Sequence, residues 1–239
     1  MQTSSSSQAD SETYPRIAPV FHTVFLLLML GVWALWSRVQ VDHMRDLATP
    51  DRVGLYTRTL VFEWSLFFYA ILGVWLTGEP FSIVLGERWK SFREALRNIG
   101  IAAAFWFVAL ILLIVFGLLL RVASAGSDIK FLLPQGRLEI ILWIALSITA
   151  GICEETIFRG YLQHQLISLT KNIPTGIFLS AVVFGAGHIY QGFRRAILII
   201  LFGLMFGILA HWRKSTRPGM IAHAWHDCFS GLLGGVLRH

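Results

Sequence analysis

Apolar runs long enough to cross a bilayer recur along the whole chain, and no other feature constrains its fold as strongly. A transmembrane helix takes about 20 mostly apolar residues, since in lipid the backbone polar groups must be satisfied within the segment itself. Residues 17–36, 60–76, 99–120, 138–153, 173–190, 196–212 and 220–237 read as such runs. The fourth is short and ends directly at Glu154, and the seventh is interrupted by His223, His226 and Asp227. The pattern predicts an all-α fold: a polytopic membrane helix bundle of about seven transmembrane helices. Composition agrees, with 55% hydrophobic and only 14% charged residues, where soluble domains carry about a quarter charged.

The net charge of +6 does not point to nucleic acid. The basic residues fall in short loops between apolar runs, where they meet headgroups and bias topology, and no RNA- or DNA-binding motif is present. They divide evenly between the two sides of a seven-span bundle, so orientation is not set by them. Cys153 and Cys228 form neither a CxxC pair nor a disulfide framework and read as small apolar fillers.

Residues 1–16 are Ser-rich and polar without a basic signal-peptide n-region, which predicts a disordered tail before a retained first span. Residues 17–137 form an N-terminal set of transmembrane helices with an interfacial loop. Within that loop WKSFREALRNIG (89–100) reads as a separate amphipathic helix. Residues 121–137 read as a turn-rich connection. GLMFG (203–207) and GLLGG (231–235) carry small-xxx-small spacing, which suits close helix packing within the bundle. His164 and His211 are expected at helix ends without a site around them.

Ionisable groups at membrane depth are costly and mark candidate sites. Three clusters stand out. In the first, Glu155 and Arg159 are four residues apart on one helix face, with the acid N-terminal, the favoured order for an ion pair. Glu154 points about 100° away round the helix and is left available. Read alone, the cluster is equally an ion pair at the headgroups. In the second, Phe184 and His188 share a face among small residues. The third sets His223 and Asp227 at i, i+4 with His226 between them, where a carboxylate beside an imidazole fixes its tautomer.

A bundle can bring these side chains from three apolar helices to one interior site. The set suits hydrolysis: Glu154 as general base, His188 holding the same water, and an imidazole as donor to an oxyanion. Zinc on Glu154, His188 and His223 with an open water position is the alternative. The HExxH spacing of zincins is absent, and the reading favoured is a site without cofactor. A proton-coupled transporter would also place Glu, His and Asp in the membrane, but would be expected to show internal repeats and broken helices.

EExxxR (Glu154, Glu155, Arg159), FxxxH (Phe184, His188) and HxxxD (His223, Asp227), in that order on successive apolar helices, resemble the CAAX-protease and bacteriocin-processing family, also called Abi, which includes the type II CAAX prenyl proteases. The resemblance covers residues 138–239 as a catalytic membrane core; the first 137 residues match it only as generic spans. It implies an intramembrane endopeptidase in which Glu154 and His188 activate water, His223 and Asp227 line the oxyanion side, and Glu155 and Arg159 shape the site. The family has been described both as metalloproteases and as metal-free glutamate proteases. Its eukaryotic prenyl proteases tend to have Asn where this chain has Asp227, and an ionised Asp cannot donate to an oxyanion, though it can orient His223 or bind a metal. The implied partners are membrane lipid and a peptide or lipidated-protein substrate, in a bacterial inner (plasma) membrane. A non-enzymatic immunity or scaffold protein is the family's other role. Oligomeric state is left open.

Overall fold

The computed structural model describes residues 14–122 and 129–236. Among them are eight α-helices and no strand: α1 Val20–Arg45, α2 Arg52–Leu76, the single turn α3 Ser82–Leu85, α4 Phe92–Leu119, α5 Arg137–Thr170, α6 Ile173–Gly187, α7 Phe193–Arg213 and α8 Arg217–Val236. Five of them (α1, α2, α4, α5 and α7) are long and apolar enough to span a membrane. The other two expected spans correspond to the shorter apolar α6 and to α8, which carries the polar cluster.

Large apolar side chains cover the outside of the bundle, and the interior combines an apolar core with a set of buried polar and charged groups. Phe21, Leu118 and Phe193 are each more than 70% exposed, whereas Glu155 and Gln165 are fully buried and Arg159 and His223 nearly so. That distribution suits a lipid-facing surface around a partly polar interior. Helix α5 is the central element. Its first half packs on α2 and α8, and its last turns pack on α6, which in turn lies along α7.

Two expectations of element boundaries are corrected. Residues 89–100 are not a separate interfacial helix: Ser91 Oγ accepts from Glu94 N–H (3.2 Å) and Glu94 Oε2 accepts from Lys90 N–H (2.8 Å), reciprocal caps that start α4 and leave nothing to break it before Leu119. The fourth span does not stop at Glu154 either. The helix runs on through Glu155–Leu162 as a π-helical stretch and returns to α-geometry over Gln163–Thr170.

The N-terminal helices clamp that wide stretch. Tyr161 Oη is bonded to His22 Nδ1 (2.8 Å) and Thr23 Oγ1 (3.0 Å) of α1, and Gln165 bonds both Ile17 N–H (3.2 Å) and Ala18 O (2.7 Å). Of the segment 1–16, residues 1–13 lie outside the described residues. Tyr14 bonds His211 Nδ1 at 2.6 Å and lies against the ring of His164, which is buried inside the helix rather than at its end. Gly203 and Gly207 face Ala181 and Gln163 within the bundle, so the GLMFG stripe serves internal packing.

Candidate active site

The wide turn of α5 begins at the two adjacent carboxylates. π-helical stretches commonly mark functional positions, and here the altered backbone is satisfied locally. Phe158 O accepts from Gln163 N–H and, at 2.7 Å, from Ser180 Oγ of α6. Gly160 lets the turn lie against α3, because a Cβ there would sit 2.5 Å from Val84 O.

Glu155 points into the interior of the bundle and is fully buried. Its Oε1 lies 3.1 Å from Arg159 Nη1 and 2.9 Å from His223 Nδ1. The side chains of Glu155, Arg159 and His223 are 0%, 2% and 4% exposed. A carboxylate beside a guanidinium is an acceptor only, so His223 donates from Nδ1, and its Nε2 is turned the other way. Arg159 also lies over the ring of Phe184 (4.2 Å to the centroid) and reaches that of Phe206 (5.5 Å). Its contact with Glu155 is an ion pair without hydrogen-bond geometry, since Nη1, Nη2 and Glu155 Oε2 have no hydrogen-bond partner among the described residues.

On the other side of His223 is a cavity of about 680 Å³, lined by Glu154, His188, His223, His226 and Asp227 among others. Nε2 of His223 is 3.6 Å from Glu154 Oε2 and 3.6 Å from Asp227 Oδ2. His188 ends α6, and its Nδ1 is 2.9 Å from Phe184 O. A carbonyl only accepts, so Nδ1–H donates to it and the lone pair is left on Nε2. Glu154 and both histidines line the same cavity.

The six predicted site residues thus separate into two layers. Glu154, His188, His223 and Asp227 line the cavity, while Glu155 and Arg159 stand behind His223 and do not reach its wall. Three features were missed. The hydrogen bond from His223 to Glu155 shows that Glu155, not Asp227, holds Nδ1. The π-helical stretch has no simple sequence signature. Glu63 of α2, a single acid within the apolar run 60–76, lines the same cavity. Aromatic rings close the base, with Phe202 stacked on Phe206 (4.1 Å) and both against His223.

Among the described residues no group of three His, Cys, Asp or Glu side chains is disposed to hold a metal ion. Cys153 and Cys228 are both free thiols.

Residues 136–229 match the family model described as Type II CAAX prenyl endopeptidase Rce1-like. The matched stretch contains all six residues of the two layers and excludes α1, α2 and α4. No curated protein and no solved structure matches the chain.

Proposed function

We propose, from the match of residues 136–229 to the type II CAAX prenyl endopeptidase family model, that the chain is an intramembrane endopeptidase that hydrolyses a peptide bond of a membrane-associated or prenylated, CaaX-type substrate, using water activated by Glu154 and His188 without a metal. The observation that carries this reading is the position of Glu154. Its carboxylate is 16% exposed on the cavity wall, beside a histidine held in one orientation by a buried partner.

The steps follow from the atoms. The lone pair on His188 Nε2 accepts one hydrogen of the water, and Glu154 takes the proton as the oxygen attacks the scissile carbonyl. The developing oxyanion needs a donor fixed in advance. His223 supplies it from Nε2 when protonated, with Glu155 compensating the charge at Nδ1. Asp227 lies 3.6 Å from that nitrogen; as a carboxylate it stabilises the charged imidazole and does not itself donate to the oxyanion. The apolar cavity wall accommodates the aliphatic part of a lipidated or membrane-embedded chain.

The test is cleavage of prenylated and unprenylated peptides by the purified protein in liposomes, with Glu154→Gln and His188→Ala as comparisons. Loss of cleavage in both variants, with the fold retained, supports the protease. If the protein's cellular activity survives both substitutions, the non-enzymatic role replaces it.

A further inference from the structure

Among the described residues, Glu63 is the one carboxyl of the cavity contributed from outside the matched stretch. It sits on the inward face of α2, in register with Tyr56, Leu66 and Ala70, all buried. The residue is 7% exposed, lines the cavity with Glu154 and Asp227, and its Oε2 is buried with no hydrogen-bond partner among the described residues. A buried carboxylate without a partner, beside two others, is strongly disfavoured by desolvation and by Coulomb repulsion. A carboxylic acid in the same position is not, and it brings an O–H group to a cavity whose other wall carries a base.

Peptide hydrolysis has a use for such a group. The C–N bond breaks only if the departing nitrogen receives a proton, which Glu154 can hand on only after taking it from water; a carboxyl already protonated on the cavity wall supplies it without that relay. Other proton-bearing side chains line the cavity, among them Tyr56, whose hydroxyl donates to Leu132 O, and Tyr190, Lys130 and His226, but Glu63 is the acid whose buried oxygen has no hydrogen-bond partner among the described residues. Paired carboxyls whose surroundings hold one as acid and the other as base are a recurrent solution to acid–base catalysis.

We propose that Glu63 is the acid of the reaction, giving its proton to the leaving nitrogen of the scissile peptide bond; this rests on Glu154 acting as the base. As the water oxygen bonds to the carbonyl carbon, the water proton passes to Glu154 and the carbonyl π pair moves to the oxygen held by His223. When the tetrahedral intermediate collapses, that pair re-forms the carbonyl and the C–N bond breaks. The nitrogen takes the Glu63 proton and leaves as an amine. Glu154 then carries the proton that Glu63 has lost, and its transfer back through water restores both groups.

The test compares one acyl peptide presented to the full-length protein in liposomes as its amide and as an activated aryl ester, whose phenolate leaves without a proton. Glu63→Gln is expected to slow the amide by about a hundredfold or more, within the usual range for a general acid, and the ester by less than about threefold. Glu154→Gln is expected to slow both by about a hundredfold or more. Equal effects of Glu63→Gln on amide and ester, or no effect on either, would overturn the assignment and leave Glu154 as base. Unchanged hydrolysis of both substrates by Glu154→Gln would instead remove the hydrolytic reading itself. If Glu63→Gln does not fold, the same amide-to-ester comparison on Glu63→Met, which keeps the buried volume without the acid, decides the point.

Discussion

Nδ1 of His223 donates to Oε1 of Glu155 across 2.9 Å, joining α8 to the start of the wide turn in α5. The same oxygen neutralises Arg159 at 3.1 Å. One buried carboxylate therefore fixes an imidazole in the site and compensates a guanidinium outside it. Removing it strands a buried cation, which costs about 3–5 kcal/mol. Glu155→Ala is accordingly expected to lower the unfolding free energy in detergent by that amount and to abolish cleavage. A loss below about 1 kcal/mol, the range of exposed pairs, would mean that the pair is not the brace described.

Stability and activity should separate when both charges are removed. A well-packed apolar pair often matches or exceeds a buried ion pair in stability. Glu155→Leu with Arg159→Met is expected to recover most of the stability lost in Glu155→Ala. It should stay inactive, because His223 then has no acceptor for Nδ1. Cleavage returning along with stability would show that the orientation of His223 is immaterial.

Close helix contact positions the imidazole as well. A Cβ on Gly151 of α5 would meet Met220 O at 2.6 Å and Ala224 N at 3.0 Å, on either side of His223 along α8. Gly151→Ala forces the two helices apart, and overpacking of this kind costs about 1–3 kcal/mol. The variant is expected to lose both thermal stability and cleavage rate. Wild-type values for both would indicate that α8 tolerates displacement here.

Metal dependence has its own measurement. Purified protein treated exhaustively with chelator is expected to keep its activity, with zinc far below one equivalent by elemental analysis. Activity lost on chelation and restored by zinc alone would transfer Glu154, His188 and His223 to the role of ligands.

Local pattern was enough to find the parts of the site that lie on single helices. The i, i+4 spacings of Glu155 with Arg159 and of His223 with Asp227 correspond to side chains 3.1 Å and 3.6 Å apart. What escaped depends on packing between helices far apart in sequence. Two adjacent acids after an apolar run look like the end of a span. Here α5 continues because Arg159 and His223 compensate Glu155 inside the bundle, and α1 holds the wide turn through Tyr161. Glu63 has no motif around it. Only the packing of α2 on α5 brings it to the cavity. The capped start of α4 was legible in Ser91 and Glu94, but the amphipathic look of 89–100 drew the boundary in the wrong place.

Glu154 is proposed as the base of the reaction and not as a structural acid. Its carboxylate makes no hydrogen bond to the bundle among the described residues and is 16% exposed to the cavity, so an isosteric amide should leave the fold intact. The direct measurement is the single-turnover cleavage rate of a membrane-reconstituted peptide reporter by Glu154→Gln, alongside its thermal unfolding. The expected result is a rate loss of about a hundredfold or more with an unfolding midpoint near that of the wild type. Cleavage within a few-fold of wild type, or a loss of activity matched by loss of the fold, would contradict it.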